Sequence, residues 1–519
     1  MRFWWKFALA LSLSFVVGTA AAAGYKSADT TPDPPQREFR GVWIATVHNI
    51  DWPSKATLPI ADQKAEMIAI LDRAVEMKLN AVVLQIRGEC DALYRSKIEP
   101  WAPWLTGEMG RDPGYDPLEF SVRECHKRGI ELHAWFNPFR AVNSGHGKSH
   151  PDHVTQTHPK AVRQYGKKLW LEPTLEFSRQ RAIDVVRDVL ERYDIDGVHI
   201  DDYFYPYPFK NKAGKWEDFN DYASYQAYRE TGGELLIGDW RRDAMSGFVE
   251  EFYKTVKEID PTCKVGVSPF GVYRPGQPAQ VKTSLDAYES LYADVKKWWH
   301  NGWMDYLAPQ LYWSTDHEQL GFGGLYDWWR DENKQGRHLW PGIAIYRIQS
   351  EGEPNRDAND ALRQVKISRD NNDVSHGSGH IHYSVKSLME NRANLVEVFK
   401  NNIYGSFALP PASPWLSDGL LPKAQLRLVA ETDASVVVQW DGDGLENRVR
   451  WWLVQTMENG AWTTGQLLPA DKTNLAIEGA PAQIAVTPIG HAGELGSSAS
   501  LLKSATAAPP VAVVVDEQN

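Results

Sequence analysis

Cysteine is scarce in this chain of 519 residues: Cys90, Cys125 and Cys263 are its only three. So few, so widely spaced, exclude a disulfide-stapled scaffold and a thiolate zinc site. No long run of like charge occurs, and the formal net charge is −11. The electrostatic footprint of a nucleic-acid binder is therefore missing. The paired-histidine spacings of zinc hydrolases (H-E-x-x-H, or H-x-H on a first strand) are absent. No G-x-G-x-x-G follows the first strand pattern, which argues against an open dinucleotide-binding sheet. What is plentiful is aromatic surface, with 22 Trp, 21 Tyr and 17 Phe. Such flat faces fill cores, and they also stack on sugar rings.

Arg2 and Lys6 precede the apolar stretch Phe7 to Val17, and small residues follow from Thr19 to Ala23. This is the order of a secretory signal peptide, too short to span a bilayer comfortably. It predicts cleavage near Ala23 and a periplasmic or extracellular protein without stable membrane insertion; an uncleaved anchor is the alternative. Residues 24–37, rich in Thr, Pro and Asp, read as a flexible leader.

Eight short β-branched or aromatic runs then alternate with helical patterns: 39–47, 80–87, 130–137, 196–201, 264–270, 304–312, 339–346 and 379–385. Asp116-Pro117-x-Glu119 supplies an N-cap, a proline at the first helical position and a capping-box carboxylate. In 176–193, Ala182, Val185, Val186, Val189, Leu190 and Tyr193 share one helical face. Strict βα alternation predicts an α/β fold, a (β/α)₈ TIM barrel over 38–405. A Pro-rich linker, 406–419, ends the alternation. Residues 420–503 read as a small all-β sandwich, similar to a fibronectin type III domain, and 504–519 as a disordered tail.

In such a barrel the site lies where the strands end, and sequence parity separates inward from outward positions. Parity with outward Val198 and Ile200 sends His199 and Asp201 inward. It likewise selects Gln85, Arg87, His133, Trp135, Asn137, Gln310, Tyr312, His382 and Ser384. Polar residues at these positions, where a purely structural barrel carries Val, Ile and Leu, point to a site. Loop aromatics add Trp52, Trp101, Trp104, Tyr203, Phe204, Tyr205, Tyr207 and Trp313, suggesting a groove for a polymer of sugars.

Arg40-Gly41-Val42-Trp43, Asp51-Trp52-Pro53, Gln85 to Tyr94 and His133-Ala134-Trp135-Phe136-Asn137-Pro138 resemble successive blocks of glycosyl-hydrolase-like family ten of bacterial envelope proteins. Asp201-Asp202-Tyr203-Phe204-Tyr205-Pro206, Gly266-Val267-Ser268-Pro269 and Ala308-Pro309-Gln310-Leu311-Tyr312-Trp313 continue the series, over roughly 38–350. The resemblance implies a TIM barrel and a secreted glycosidase. For some members it also implies a substrate of peptidoglycan glycan strands lacking stem peptides.

Glycoside hydrolysis normally uses two carboxyl groups, one protonated and one ionised. Asp201 is the first candidate, read as the ionised group, and Asp202, Glu89 and Asp91 are candidates beside it. Gln85, Arg87, Asp91, His133, Asn137, His199, Tyr203, Gln310, Tyr312, Trp52, Trp101 and Trp313 are the expected substrate contacts. No cofactor or resident metal is called for. The fourth strand also resembles the D-G-x-D-x-D-x-E signature of chitinases. Asp196, Gly197 and Asp201 match it, but His199 and Tyr203 replace an Asp and the catalytic Glu. Two alternatives stay open: a metal-dependent hydrolase or deacetylase with His133, His199 and Asp201 as ligands, and a noncatalytic glycan-binding protein.

Overall fold

The computed structural model describes residues 24–504, apart from 144–148, 371–376, 418, 433, 443, 445, 446 and 464. The signal-peptide stretch and nearly all of the tail lie outside the described residues.

A parallel sheet is built from β1 (Phe39–Ile44), β2 (Ala81–Arg87), β3 (Glu131–Phe136), β4 (Gly197–Ile200), β5 (Lys264–Val267), β6 (Tyr306–Leu307), β7 (His338–Leu339 and Gly342–Ile343) and β8 (Gly379–His382). Neighbours pair in chain order from β1 to β7, and β8 pairs with β1. The first half of β7 pairs with β6 and its second half with β8. The sheet thus curls round in a TIM-barrel-like arrangement. A main helix follows each strand: α1 (Ile60–Glu76), α2 (Pro117–His126), α3 (Glu176–Leu190), α4 (Ile237–Ile259), α5 (Val295–Asn301), α6 (Phe322–Asp331), α7 (Ala358–Asp370) and α8 (Leu395–Asn402). The α2 start is as the sequence predicts, with the Asp116 carboxylate accepting from Glu119 N at 3.1 Å.

Alternation along the strands sorts two apolar layers. Val42, Leu84, Leu132, Val198, Val265 and Leu307 face the helices, whereas Phe39, Trp43, Val83, Trp135, Tyr306 and Trp340 fill the interior. Two glycines make room for large rings there. A Cβ on Gly266 would stand 1.9 Å from the Tyr306 ring, and one on Gly197 would stand 2.8 Å from His133. Among the described residues no helix is long and apolar enough to cross a membrane.

Beyond residue 420 the strands are antiparallel. Gln425–Glu431, Ser435–Asp441 and Asn474–Glu478 form one sheet; Val449–Glu458, Gln466–Pro469, Gln483–Gly490 and Ala499–Lys503 belong to another. Val436, Val438 and Trp440 of the first pack on Trp452, Val454 and Val486 of the second.

Two segments that the sequence suggests are loose are structured. In the expected flexible leader, Tyr25–Ala28 pairs antiparallel with Ala499–Lys503, and Gln36–Arg37 pairs in parallel with Ala408–Leu409. A polar, Pro-containing segment gives no apolar period, yet its backbone completes an otherwise unpaired sheet edge. The Pro-rich linker is pinned as well. Ser413 is buried with its Oγ 3.0 Å from His338 Nε2, and Trp415 Nε1 donates to Asp305 at 2.8 Å.

The C-terminal strands meet the barrel at the N-terminal end of β4. There Arg450 bridges Asp194 at 2.7 Å and Asp196 at 2.6 Å. Burial opposes the Asp196 charge, but Arg450, His126 and the Leu132 N–H outweigh it and hold the carboxyl well below the usual range. Removing one partner of a buried pair costs about 3 kcal/mol or more. Arg450→Ala is therefore expected to lower the urea midpoint at neutral pH. Because the Asp196 pKa is depressed on folding, this stabilisation is present above about pH 4 and is lost as the pH falls. The gap between wild type and variant should narrow in acid, and a pH series of urea unfolding curves checks it.

Candidate active site

At the C-terminal ends of the strands lies a cavity of about 480 Å³ whose lining includes Gln85, Asp201, Asp202, Tyr203, Gln310 and Tyr312. Asp201, just past β4, is almost fully buried. Its Oδ2 accepts from Trp135 Nε1 at 3.0 Å and from Asn137 Nδ2 at 3.2 Å, whereas Oδ1 has only longer contacts, at 3.3 Å from Asn137 Nδ2 and 3.4 Å from Tyr203 N. Both oxygens thus accept hydrogen bonds, Oδ2 the shorter ones. Burial, followed by the charge of Asp202, pushes the Asp201 pKa up to about 7. Asp202 is also raised by burial, against hydrogen bonds from the Tyr207 hydroxyl and Gln310. Two adjacent buried carboxyls of this kind hold a proton near neutral pH.

Gln85, at the end of β2, has a fixed amide. Its Oε1 accepts from Thr46 N at 3.1 Å and Val47 N at 3.0 Å, which leaves Nε2 as a buried donor with no partner among the described residues. Arg140 also lines the cavity. Its guanidinium lies 4.9 Å from the Tyr203 ring centre, and its Nε donates to Gly88 O at 3.0 Å.

Several expected contacts lie elsewhere. The register between β2 and β3 slips after Gln85, so that Arg87 pairs with outward Phe136. Its guanidinium forms a buried two-pronged bridge with Glu99, at 2.6 and 2.7 Å, and leaves the cavity. A bulge of this kind breaks the parity rule. On β8 parity is shifted by one: Ile381 and Tyr383 face inward, and His382 faces the helices, 2.7 Å from the Tyr404 hydroxyl. Ser384 is turned to Asp51, to which it donates at 2.6 Å. His133 is inward but deep, between Tyr306 and Glu131. Trp52 is fully buried and donates to Gln63 O at 2.9 Å. Neither Trp101 nor Trp313 lines the cavity; Trp101 bridges to Ala92, and Trp313 packs edge-on behind Phe270 at 5.6 Å.

Glu89 and Asp91 are fully buried and outside the cavity lining. Burial, then Asp91, raises Glu89 to about 8; burial raises Asp91 to about 6, while its carboxylate closes a turn on Gly88 N and Glu89 N. Asn137 supports Asp201 and is itself fully buried. The three residues considered as metal ligands do not converge, because all ring nitrogens of His133 and His199 already face Glu131, Tyr306, Ser268 or Trp43. Among the described residues no group of three or more His, Cys, Asp or Glu is arranged to hold a metal ion. The three cysteines are free and buried.

Cavity residues outside the sequence expectation include Arg140, Ser268, Tyr346 and Tyr383. Ser268 was accessible by parity, two residues after inward Gly266. Arg140 and Tyr346 lie past strand ends, where parity no longer applies. Beside the cavity a second hollow of about 660 Å³ shares Tyr207 and Phe270 with it and is flanked by Trp216, which is 65% exposed.

The Glycosyl hydrolase-like 10 family model matches residues 38–359. Glycosyl hydrolase YngK of Bacillus subtilis (strain 168) is 39% identical over 428 residues, 81% of each chain. Glycosyl hydrolase DigH of Escherichia coli (strain K12) is 35% identical over 376 residues, 68% of this chain and 83% of its own. Among solved structures, the PgaB (BpsB) glycoside hydrolase domain from Bordetella bronchiseptica aligns at 12% identity and a TM-score of 0.45, over 70% of this chain and 99% of its own. The family match spans more than half of the sequence and covers the strand–helix region from β1 to β7, including Asp201 and Asp202. The chain belongs to the Glycosyl hydrolase-like 10 family.

Proposed function

We propose that this chain is a secreted glycoside hydrolase that cleaves a cell-envelope polysaccharide, with peptidoglycan glycan strands as the substrate. One observation carries the reading: Asp201 lines the cavity beside Asp202, and burial together with that neighbour pushes its pKa up to about 7. Asp201 is the general acid, giving its proton to the glycosidic oxygen as the bond breaks. Asp202, ionised and held by Tyr207 and Gln310, faces the positive charge that develops on the sugar ring. Burial thus reverses the role that the sequence suggests for Asp201. Arg140 supplies donors to sugar oxygens. The adjoining hollow beside Trp216 supports a polymer, because further rings of one chain can continue past Tyr207 and Phe270. Residues 420–503 act as a fibronectin type III-like support at the end of the barrel away from the cavity.

The decisive assay is release of reducing ends from purified glycan strands. Asp201→Asn is expected to lower the rate about a thousandfold, roughly 4 kcal/mol of barrier, with the melting temperature little changed. Near-normal turnover with earlier melting would reduce Asp201 to a structural group. Glycan binding without any cleavage by the wild type would favour the noncatalytic alternative.

The wild-type kcat/KM should fall as the pH rises through about 7, because Asp201 then loses the proton it must donate. Asp202→Asn removes the neighbouring negative charge and should move the residual basic limb to lower pH. A limb that stays in place would separate the two groups.

Trp216→Ala should weaken long glycans about fivefold more than the shortest cleaved oligomer, the worth of roughly 1 kcal/mol of ring stacking. Equal effects on both lengths would remove Trp216 from the groove.

Secretion is tested by N-terminal sequencing of exported protein. A start near Gly24 is expected, and an intact Met1 would overturn it.

A further inference from the structure

A file of hydrogen bonds runs through the barrel interior beneath the cavity, and its two ends fix the direction of every bond between them. At the lower end, Glu131 is paired with Lys264 at 3.0 Å and meets His133 Nε2 with its other oxygen at 3.1 Å. The ionised carboxylate only accepts, so His133 Nε2 carries a proton and donates. At the upper end, Trp43 Nε1–H, which only donates, reaches His199 Nε2 at 3.3 Å. A proton on that nitrogen would oppose the indole N–H, so His199 Nε2 is bare and the ring proton is on Nδ1. His199 Nδ1–H then donates to the Tyr306 oxygen at 2.9 Å, and the Tyr306 hydroxyl donates to His133 Nδ1 at 2.8 Å. The reverse arrangement would set a bare His133 Nε2 against the Glu131 carboxylate and a His199 Nε2–H against the Trp43 N–H, in a fully buried site.

Ser268 Oγ stands 2.9 Å from the same bare His199 Nε2 and lines the catalytic cavity. Two lone pairs facing each other at that distance repel, so the serine proton lies between them and points inward. We infer that Ser268 is a specificity residue of the cavity that offers substrate only lone pairs, its hydroxyl held in that sense by His199, Tyr306, His133 and Glu131 acting as positioning residues. The group it selects is a donor, a sugar O–H or amide N–H. Gln85 also lines the cavity and its amide is fixed in the opposite sense, with Oε1 taken up by Thr46 N and Val47 N. The cavity therefore reads hydrogen-bond polarity as well as shape, and a substrate group that can only accept, such as an ether oxygen, is penalised at Ser268.

Neutron diffraction from deuterium-exchanged crystals locates the protons directly, without any assumption about the reaction. Deuterium is expected on His199 Nδ1 and His133 Nε2, with the Ser268 deuteron on the line to His199. Deuterium on His199 Nε2, or a Ser268 deuteron aimed into the cavity, would overturn the inference. The kinetic arm rests on the glycosidase reading and uses purified glycan strands. Ser268→Ala should raise KM about tenfold, the size of one hydrogen bond, with kcat little changed. Tyr306→Phe, which deletes a hydroxyl that touches no substrate, should shift KM in the same direction. An unchanged KM in folded Ser268→Ala would refute the contact. If wild type cleaves no glycan, the glycosidase reading fails while the neutron map still decides the proton order.

Discussion

A barrel interior is dry, and any polar side chain that alternation sends there must find its partner inside. This constraint organises the centre of the molecule. Lys264 neutralises Glu131, Glu131 accepts a hydrogen bond from His133, and the chain continues through Tyr306 and His199 to Ser268. Gly266 and Gly197 are part of the same solution, because a side chain at either would occupy the space of the Tyr306 or His133 ring. Around the file, Phe39 and Trp340 stack with ring centres 3.8 Å apart and keep water out. Polar pairing and aromatic packing are therefore one structure.

The same rule operates at both ends with different results. At the lower end the buried charges of Asp196 and Arg450 are matched, and the match ties the C-terminal strands to the barrel. At the upper end no ion pair is formed by Asp201 or Asp202 among the described residues, and burial raises the pKa of both instead. A paired acid supports the fold; an acid left to share a proton with its neighbour can do chemistry. Arg87 shows the boundary between these roles. Its guanidinium is spent on Glu99, which steadies the loop after β2 and removes it from the cavity.

The aromatic wealth of the chain divides in the same way. Trp52, Trp298, Trp299 and Trp340 are core. Tyr203, Tyr207, Phe270 and Tyr312 shape the cavity, and Trp216 stands exposed beside the neighbouring hollow. Composition announces flat surfaces in excess, yet it does not assign one ring to a site and another to a core. That division depends on which loop folds over which strand end.

By itself the sequence determined the βα alternation, the change of pattern near the proline cluster, the α2 cap and the inward set Gln85, Trp135, His199, Asp201, Gln310 and Tyr312. These depend on local periodicity, which a strand or helix carries wherever it is placed. Tertiary structure decided the rest. The slip after Gln85 turned Arg87 outward, and the pairing of β8 with β1 sent Ile381 inward and His382 to the helices. Pairing with a distant strand ordered Tyr25–Ala28. The acid character of Asp201 arose from burial beside Asp202. Register, edge pairing and desolvation are set by neighbours remote in sequence, and no local pattern encodes them.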